Sequence, residues 1–480
     1  MKQFLKNRAQ LAVGTVVLAF LILVATVPAF LTADETTDKV DKLFAAWDKT
    51  TTPGAALAVI KNGKIIYERG YGMAKLEDGI VNTPDKVFDI GSVSKQFTAT
   101  CVAMLIREGK VGLEDDIRKY IPEMPAYEKP VTINHILHHT SGLRDYNALL
   151  SLAGFRPESD SPTVEESLEV IRRQKKLNYT PGKEYSYTNT GFFLLSQIVE
   201  RVSGKSLNAF AQERIFKPLG MTKTLFQDDH TQIIKDRATG YSRGDKGFAI
   251  SMSNWDETVD GNVYTTVRDL FLWDQAFYTN ALGKDLMDML HTQGVLNSGK
   301  KIDYAFGLVV SDYKGLKVVE HGGSWVGFRA ALVRFPEQKF SVVILANLDS
   351  IDPSGLAFKV ADIYLADLIK EPAKGEAAAK KDAKAPQVKA LSAAELKEYA
   401  GTYVSEELLD ARYTVSVAKD TLVVKSRTIP EAPLKAMAPD KFTLPGAGLD
   451  IEFVRGMGGK VTGFTMSAGR AAGIAFAKKS

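Results

Sequence analysis

Ser92 and Lys95 stand three residues apart, a spacing that puts two side chains on one face of a helix. A serine hydroxyl is a weak nucleophile until a neighbouring base takes its proton, and a lysine, which binds its proton less tightly when buried, can take part. A helix is expected to start at Ser92 and run towards Arg107. The free N–H groups and positive dipole end at such a helix start favour an anion developing on a reacting carbonyl, and Gly91 just before lets the chain turn sharply. S-x-x-K alone is a common pattern, so the weight rests on its companions. Tyr187 follows the turn signal Pro181-Gly182-Lys183-Glu184 and precedes an apolar helical run from Gly191 to Val202; its phenol can carry a proton. Asn189 can donate an amide N–H to a substrate carbonyl while its oxygen holds Lys95. The blander alternative is that Tyr187 and Asn189 only shape and cap a helix start.

A third group lies in the β-rich run from Val318 to Trp325, at His321-Gly322-Gly323-Ser324. Its glycines, Gly323 among them, allow a ligand to lie along the strand edge. The backbone N–H of Ser324, paired with that of Ser92, is the expected oxyanion hole, a device whose single donors are worth about 10²–10³ in rate. His321 either binds substrate directly or only orients the strand.

With these motifs in this order, the chain resembles the serine β-lactamase-like family of class C β-lactamases, D-alanyl-D-alanine carboxypeptidases, D-aminopeptidases and related esterases, over residues 45–365. Further stretches carry the resemblance: Phe88-Asp89-Ile90-Gly91-Ser92, His139-Thr140-Ser141-Gly142-Leu143, Tyr187 to Phe192, Pro218-Leu219-Gly220-Met221 and Trp325-Val326-Gly327-Phe328. The resemblance implies that Ser92 attacks a carbonyl to form an acyl-enzyme, while Lys95 and Tyr187 pass the proton to the leaving group and then activate water. Which of the two is the base stays open. It also implies a departure: class C β-lactamases open the third motif with lysine, whereas His321 is mostly neutral at neutral pH. Efficient β-lactam hydrolysis is therefore not expected. Arg329 could replace the lysine as a carboxylate anchor, although an arginine on a strand is more often solvated.

Other chemistries fit less well. An α/β-hydrolase triad is not expected, for want of a G-x-S-x-G nucleophile elbow. His135, His138 and His139 lie close in sequence, but without an HExxH pattern or cysteine ligands they are read as structural, so neither a metal nor any other cofactor is expected. A net charge of +4 is too small to argue for a nucleic-acid partner. Cys101 is the single cysteine; it excludes an intramolecular disulfide, and its apolar surroundings predict a buried thiol.

The elements that must position these residues follow from periodicity. Residues 55–60 and 64–69 flank Asn62-Gly63, a strong hairpin signal. Strands are expected again at 306–312, 316–321, 329–335 and 341–347, and the middle, 92–290, reads mostly helical. This predicts an α+β fold, an antiparallel sheet flanked by helices with a helical lobe, the three motifs meeting where lobe and sheet face each other. A signal peptide or membrane anchor is expected over 1–33, because Lys2, Lys6 and Arg8 precede an uncharged apolar run from Leu11 to Leu31. The expected hydrolase domain is 34–370 and an alanine- and lysine-rich linker 371–390. From 391 to 480 short alternating strands predict a small all-β barrel-like domain, similar to the lipocalin-like domains attached to some related hydrolases. It serves either as a packing appendage or as the source of a loop that overhangs the cleft and limits substrate size.

The expectation is an extracytoplasmic serine hydrolase, periplasmic or secreted and in one alternative membrane-anchored. It is expected to cleave a peptide, amide or ester bond in a small substrate, with a D-amino-acid-containing peptide such as cell-wall material as the first choice. The alternatives are a weak β-lactamase and a non-catalytic penicillin- or peptidoglycan-binding module.

Overall fold

Asn62 and Gly63 both take positive φ, 51° and 76°, the backbone that a two-residue hairpin turn requires, and they join strands β1 (Ala55–Lys61) and β2 (Lys64–Tyr71). The computed structural model describes residues 33–156, 159–255, 261–370 and 391–479. The apolar run of the expected export signal and the expected linker lie outside these residues. Among those described, no helix is long and apolar enough to cross a membrane. The helix Ala33–Phe44 belongs to a unit of its own that ends at Ala45; everything below belongs to the unit from Ala46 onward.

Four later strands complete an antiparallel sheet: β3 (Val309–Tyr313), β4 (Leu316–Trp325), β5 (Phe328–Phe335) and β6 (Phe340–Ala346). The order is β3-β4-β5-β6-β1-β2, with β1 joining the late strands in the register Ala55↔Ala346. Every residue of β6 is buried, as a continuous apolar run covered on both faces should be. The expected strand from Phe306 starts three residues late. A side chain at Gly307, where φ is +71°, would lie 2.6 Å from the carbonyl carbon of Lys95, so residues 304–308 form a turn pressed against the Ser-Lys segment.

The middle is mostly helical. Helix α1 (Lys95–Arg107) is buried from Lys95 to Leu105 and packs on α3 (Asn189–Ser203); α2 (Tyr146–Ala153) packs on α3 from another side, and α4 (Val267–Thr279) covers β1 and β6. Cys101 is buried, and burial pushes its thiol upward in pKa.

From Gly401 to Lys478 nine short strands form one antiparallel sheet: β7 (Gly401–Ser405), β8 (Ala411–Ala418), β9 (Thr421–Lys425), β10 (Ala432–Pro433), β11 (Lys435–Ala438), β12 (Lys441–Leu444), β13 (Leu449–Arg455), β14 (Val461–Ala468) and β15 (Ala471–Lys478). The order β10-β9-β8-β7-β15-β14-β13-β12-β11 leaves as its edges two strands that Leu434 alone separates in the chain, so the sheet is a nearly closed barrel. Alternate residues of β13, Leu449, Ile451 and Phe453, point inward, which is the period of two that this segment's sequence carries. The barrel docks through a buried ion pair, Arg144 to Glu407 at 3.0 Å, and Tyr413 Oη donates to the carbonyl of Leu152 at 3.0 Å.

Candidate active site

The α-helix does not begin at Ser92. Gly91–Ser94 is a turn of 3₁₀ helix, and α1 starts at Lys95. The 3₁₀ turn eclipses residues three apart, so Ser92 and Lys95 face each other more directly than in an α-helix. Its shape follows from its neighbours: Gly91 takes φ +48°, and Ser94 Oγ accepts from the N–H of Val263. Lys95, fully buried, donates from Nζ to Ser92 Oγ at 3.1 Å and to Asn189 Oδ1 at 3.0 Å. Asn189 opens α3 with Thr188 as N-cap and no side-chain cap bond, so Asn189 is not the cap. Its own N–H goes instead to the carboxylate of Asp145, at 2.7 Å.

Tyr187 lines the cleft beside Ser92. Lys95 Nζ lies 5.1 Å from the centre of its ring. Its Oη is buried and has no hydrogen-bond partner among the described residues, and a buried hydroxyl left unpaired is costly unless a ligand completes it. His139 packs against the same ring, 4.2 Å between centroids, and accepts from the N–H of Thr188. Burial, then the charge of Lys95, drive its pKa well below the usual value. The three neighbouring histidines go separate ways: His135 closes a capping box with Thr132, and His138 Nε2 donates to the carbonyl of Thr292. Among the described residues no cluster could hold a metal ion.

The third motif forms the other wall. A side chain on Gly323 would fall 1.9 Å from the carbonyl oxygen of Ile90 and 3.2 Å from the backbone nitrogen of Ser92, and one on Gly91 would fall 2.7 Å from the nitrogen of Ser324. The two glycines therefore let β4 close onto the Ser92 turn, which brings the N–H groups of Ser92 and Ser324 to one place. Gly323 makes room first for the protein's own backbone. His321 is buried, with Nδ1 donating to the carbonyl of Gly322 at 2.6 Å and Nε2 accepting from Tyr304 Oη at 3.0 Å. Both ring nitrogens are thus used within the protein, the arrangement of a residue that orients its strand. Burial pushes its pKa down to about 4, so it is neutral at neutral pH.

The cleft encloses about 770 Å³, a size suited to a small peptide. Tyr146, Trp255 and Arg470, which carry no motif, line it, together with Trp325 of the third motif and the half-buried Arg329. Asp145 had a readable signal, a short polar residue just before an apolar helical run, and it caps α2. Arg470, in a hairpin turn of the barrel, had none. The letters G-x-S-x-G do occur once, at Gly240-Tyr241-Ser242-Arg243-Gly244, contrary to expectation. Residues Tyr241–Gly244 are a strand paired with Gly247–Ile250, with none of the strand-to-helix turn that a nucleophile elbow needs.

Comparison with known proteins bears on the family and the fold. The model of the beta-lactamase family matches residues 40–363. A D-aminopeptidase of Brucella anthropi is 32% identical over 321 residues, covering 65% of this chain and 59% of the relative, so the chain spans little more than half of that protein's length. Penicillin-binding protein 4* of Bacillus subtilis is 27% identical over 426 residues, 84% of this chain and 90% of its own. Among solved structures, an octameric penicillin-binding protein homologue from Pyrococcus abyssi superimposes over 92% of this chain and 99% of its own, with a TM-score of 0.62 and 24% identity, which shows a shared fold.

Proposed function

The chain belongs to the beta-lactamase family and is a serine hydrolase, and on that premise we propose that it cleaves amide bonds on the carboxyl side of D-amino acids in short peptides outside the cytoplasm. The observation that carries the reading is the hydrogen-bonded line from Ser92 Oγ through Lys95 Nζ to Asn189 Oδ1. The D-aminopeptidase relative supports the choice of substrate, and the charged and apolar N-terminal sequence supports the location.

In the proposed reaction Ser92 Oγ attacks the carbonyl carbon as its proton moves to the Lys95–Tyr187 pair. The carbonyl oxygen, now an anion, is held by the N–H groups of Ser92 and Ser324. Collapse of the tetrahedral intermediate breaks the C–N bond, and the Tyr187 phenol, whose proton is replenished from Lys95, protonates the departing amine. Water then attacks the ester on Ser92. It gives one proton to the pair, which returns it to Ser92 Oγ as the acid product leaves. Asn189 keeps Nδ2 for the carbonyl of the acyl-side residue. A neutral His321 itself supplies no charge for a β-lactam carboxylate.

The test is parallel turnover of D-alanine p-nitroanilide, a D-alanyl-D-alanine peptide, a p-nitrophenyl ester and nitrocefin, with Ser92→Ala as control. Serine-dependent cleavage of the D-residue amides, lost by at least roughly 10⁴-fold in the control, is the expected result. Turnover of the ester alone would replace the peptidase reading with an esterase, and covalent labelling of Ser92 without turnover would replace it with a binding module.

A further inference from the structure

Gly469 and Arg470 form the turn between the last two strands of the barrel, β14 and β15. The turn is fastened to the catalytic lobe. The carbonyl of Arg470 accepts from the N–H of Asp145 at 3.2 Å and from Asn178 Nδ2 at 2.9 Å, and the N–H of Ala472 donates to Asn178 Oδ1 at 3.0 Å. The side chain enters the cleft that holds Ser92, where its guanidinium lies 5.4 Å from the centre of the Tyr187 ring. One of its nitrogens, Nη2, pairs with Asp145 Oδ2 at 3.2 Å, while the side chain stays 42% exposed. A guanidinium has five N–H donors in a fork matched to carboxylates, so this contact leaves donors for a second one.

We propose that Arg470 anchors the free carboxylate of the residue that leaves, making the preferred substrates peptides that end one residue after the scissile bond. The inference rests on the peptidase reading above, in which Tyr187 serves the leaving amine. In a C-terminal residue the carboxylate is separated from that amine by a single Cα, roughly 2.5 Å from nitrogen to carboxyl carbon, so a cation over Tyr187 is on the side where it lies. The other arginine of the cleft is differently placed. Arg329 stands opposite Ser324 in the β4–β5 register, on the oxyanion side, and turns Nη1 back onto the carbonyls of Val326 and Phe328 at 2.8 and 2.6 Å. The positive charge that the third motif lacks is in this way supplied from the barrel.

The experiment measures kcat/KM of the full chain for one acyl-D-alanyl-D-alanine peptide as free acid and as C-terminal amide, with Arg470→Ala, Arg470→Lys and Arg329→Ala alongside. The native chain is expected to prefer the acid, and Arg470→Ala to lower that preference about tenfold, the worth of one charge-assisted contact. The loss falls mainly on KM. Arg470→Lys recovers part of the ratio and Arg329→Ala leaves it in place. If Arg470→Ala slows acid and amide equally, Arg470 merely props Asp145 and Asn189, and the proposal falls. It falls also if the native chain is indifferent to the two, or if Arg329→Ala is the variant that removes the ratio. Affinities of acid and amide for Ser92→Ala, with and without Arg470→Ala, read the same contrast without turnover. A chain that cleaves neither peptide yet keeps that affinity contrast loses the peptidase reading and keeps the anchor.

Discussion

Lys95 and Arg470 both lie over the Tyr187 ring, at 5.1 and 5.4 Å, and opposite means hold them there. Lys95 is placed by its own neighbourhood: a short 3₁₀ turn, two glycines that let β4 close on it, and an asparagine that takes its second hydrogen bond. Arg470 is placed by docking. It sits on a turn of a separate sheet, and its position depends on whether that sheet stays seated on the loop carrying Arg144 and Asp145. Lys95 is thus fixed by contacts within the hydrolase fold itself, near and distant in sequence, while Arg470 arrives on a second sheet and reaches that fold through Asp145.

Unseating the barrel is expected to have the largest effect. The side chains of Arg144 and Glu407 are 2% and 5% exposed, and Arg144 also reaches Gln174 Oε1 and the carbonyl of Gly473. Arg144→Ala leaves a buried carboxylate without its cation, and the expected loss is about 3–5 kcal/mol, measured by urea unfolding followed at both sheets. Replacing Arg144 and Glu407 together by methionine is expected to cost less, since no charge is stranded. An Arg144→Ala loss within roughly 0.5 kcal/mol, the scale of an exposed pair, would show that the seat lies elsewhere.

The same contrast explains what the sequence made legible. The Asn62-Gly63 hairpin, the strands expected at 316–321, 329–335 and 341–347 and the helical run from Gly191 to Val202 follow from local turn chemistry and periodicity, and the structure has each of them within a few residues of its expected bounds. Ser92, Lys95, Tyr187 and Asn189 were readable as candidates because their residue types and spacing are what serine acyl transfer asks for. The turn at 304–308 was not, because it is imposed by the approach of Gly307 to Lys95, a contact between distant segments. Tyr304 and Arg470 were invisible for the same reason: an isolated tyrosine and an Ala-Gly-Arg-Ala turn have no signature until the fold brings them to His321 and Tyr187.

On the Ser92 side, substitution of the glycines is expected to have an intermediate effect. A side chain at Gly323 meets Ile90 at 1.9 Å, backbone that cannot step aside, whereas one at Gly322 meets the Ser354 hydroxyl at 3.1 Å, which can. Gly323→Ala should spread the N–H groups of Ser92 and Ser324 and lower kcat by about 10²–10³, the value of one oxyanion donor. Gly322→Ala should cost only a few-fold. Equal effects at the two positions would mean that closure of β4 onto the Ser92 turn is not what aligns the donors.

The smallest expected effect concerns protons. His321 titrates at about 4 in the folded chain, because of burial first and then the nearby Lys95 charge, against about 6.5 when unfolded. As pH falls below 6.5 the unfolded chain takes up this proton and the folded chain does not. The contribution present above 6.5 is therefore lost progressively down to about 4, at up to roughly 1.4 kcal/mol per pH unit. His138, His139 and His291 shift in the same direction, each chiefly through burial, so acid sensitivity is shared. His321→Gln, with its amide bonded to Tyr304, should unfold with a shallower dependence on pH between 6.5 and 4, by one proton's worth, whatever its stability at pH 7. Activity gives a further check: a His321 that titrates at about 4 puts no step near pH 6.5 into the pH profile of kcat/KM. A step there that disappears in His321→Gln would mean that the third motif carries a charge in the working enzyme, and that Arg470 is not alone in meeting the carboxylate.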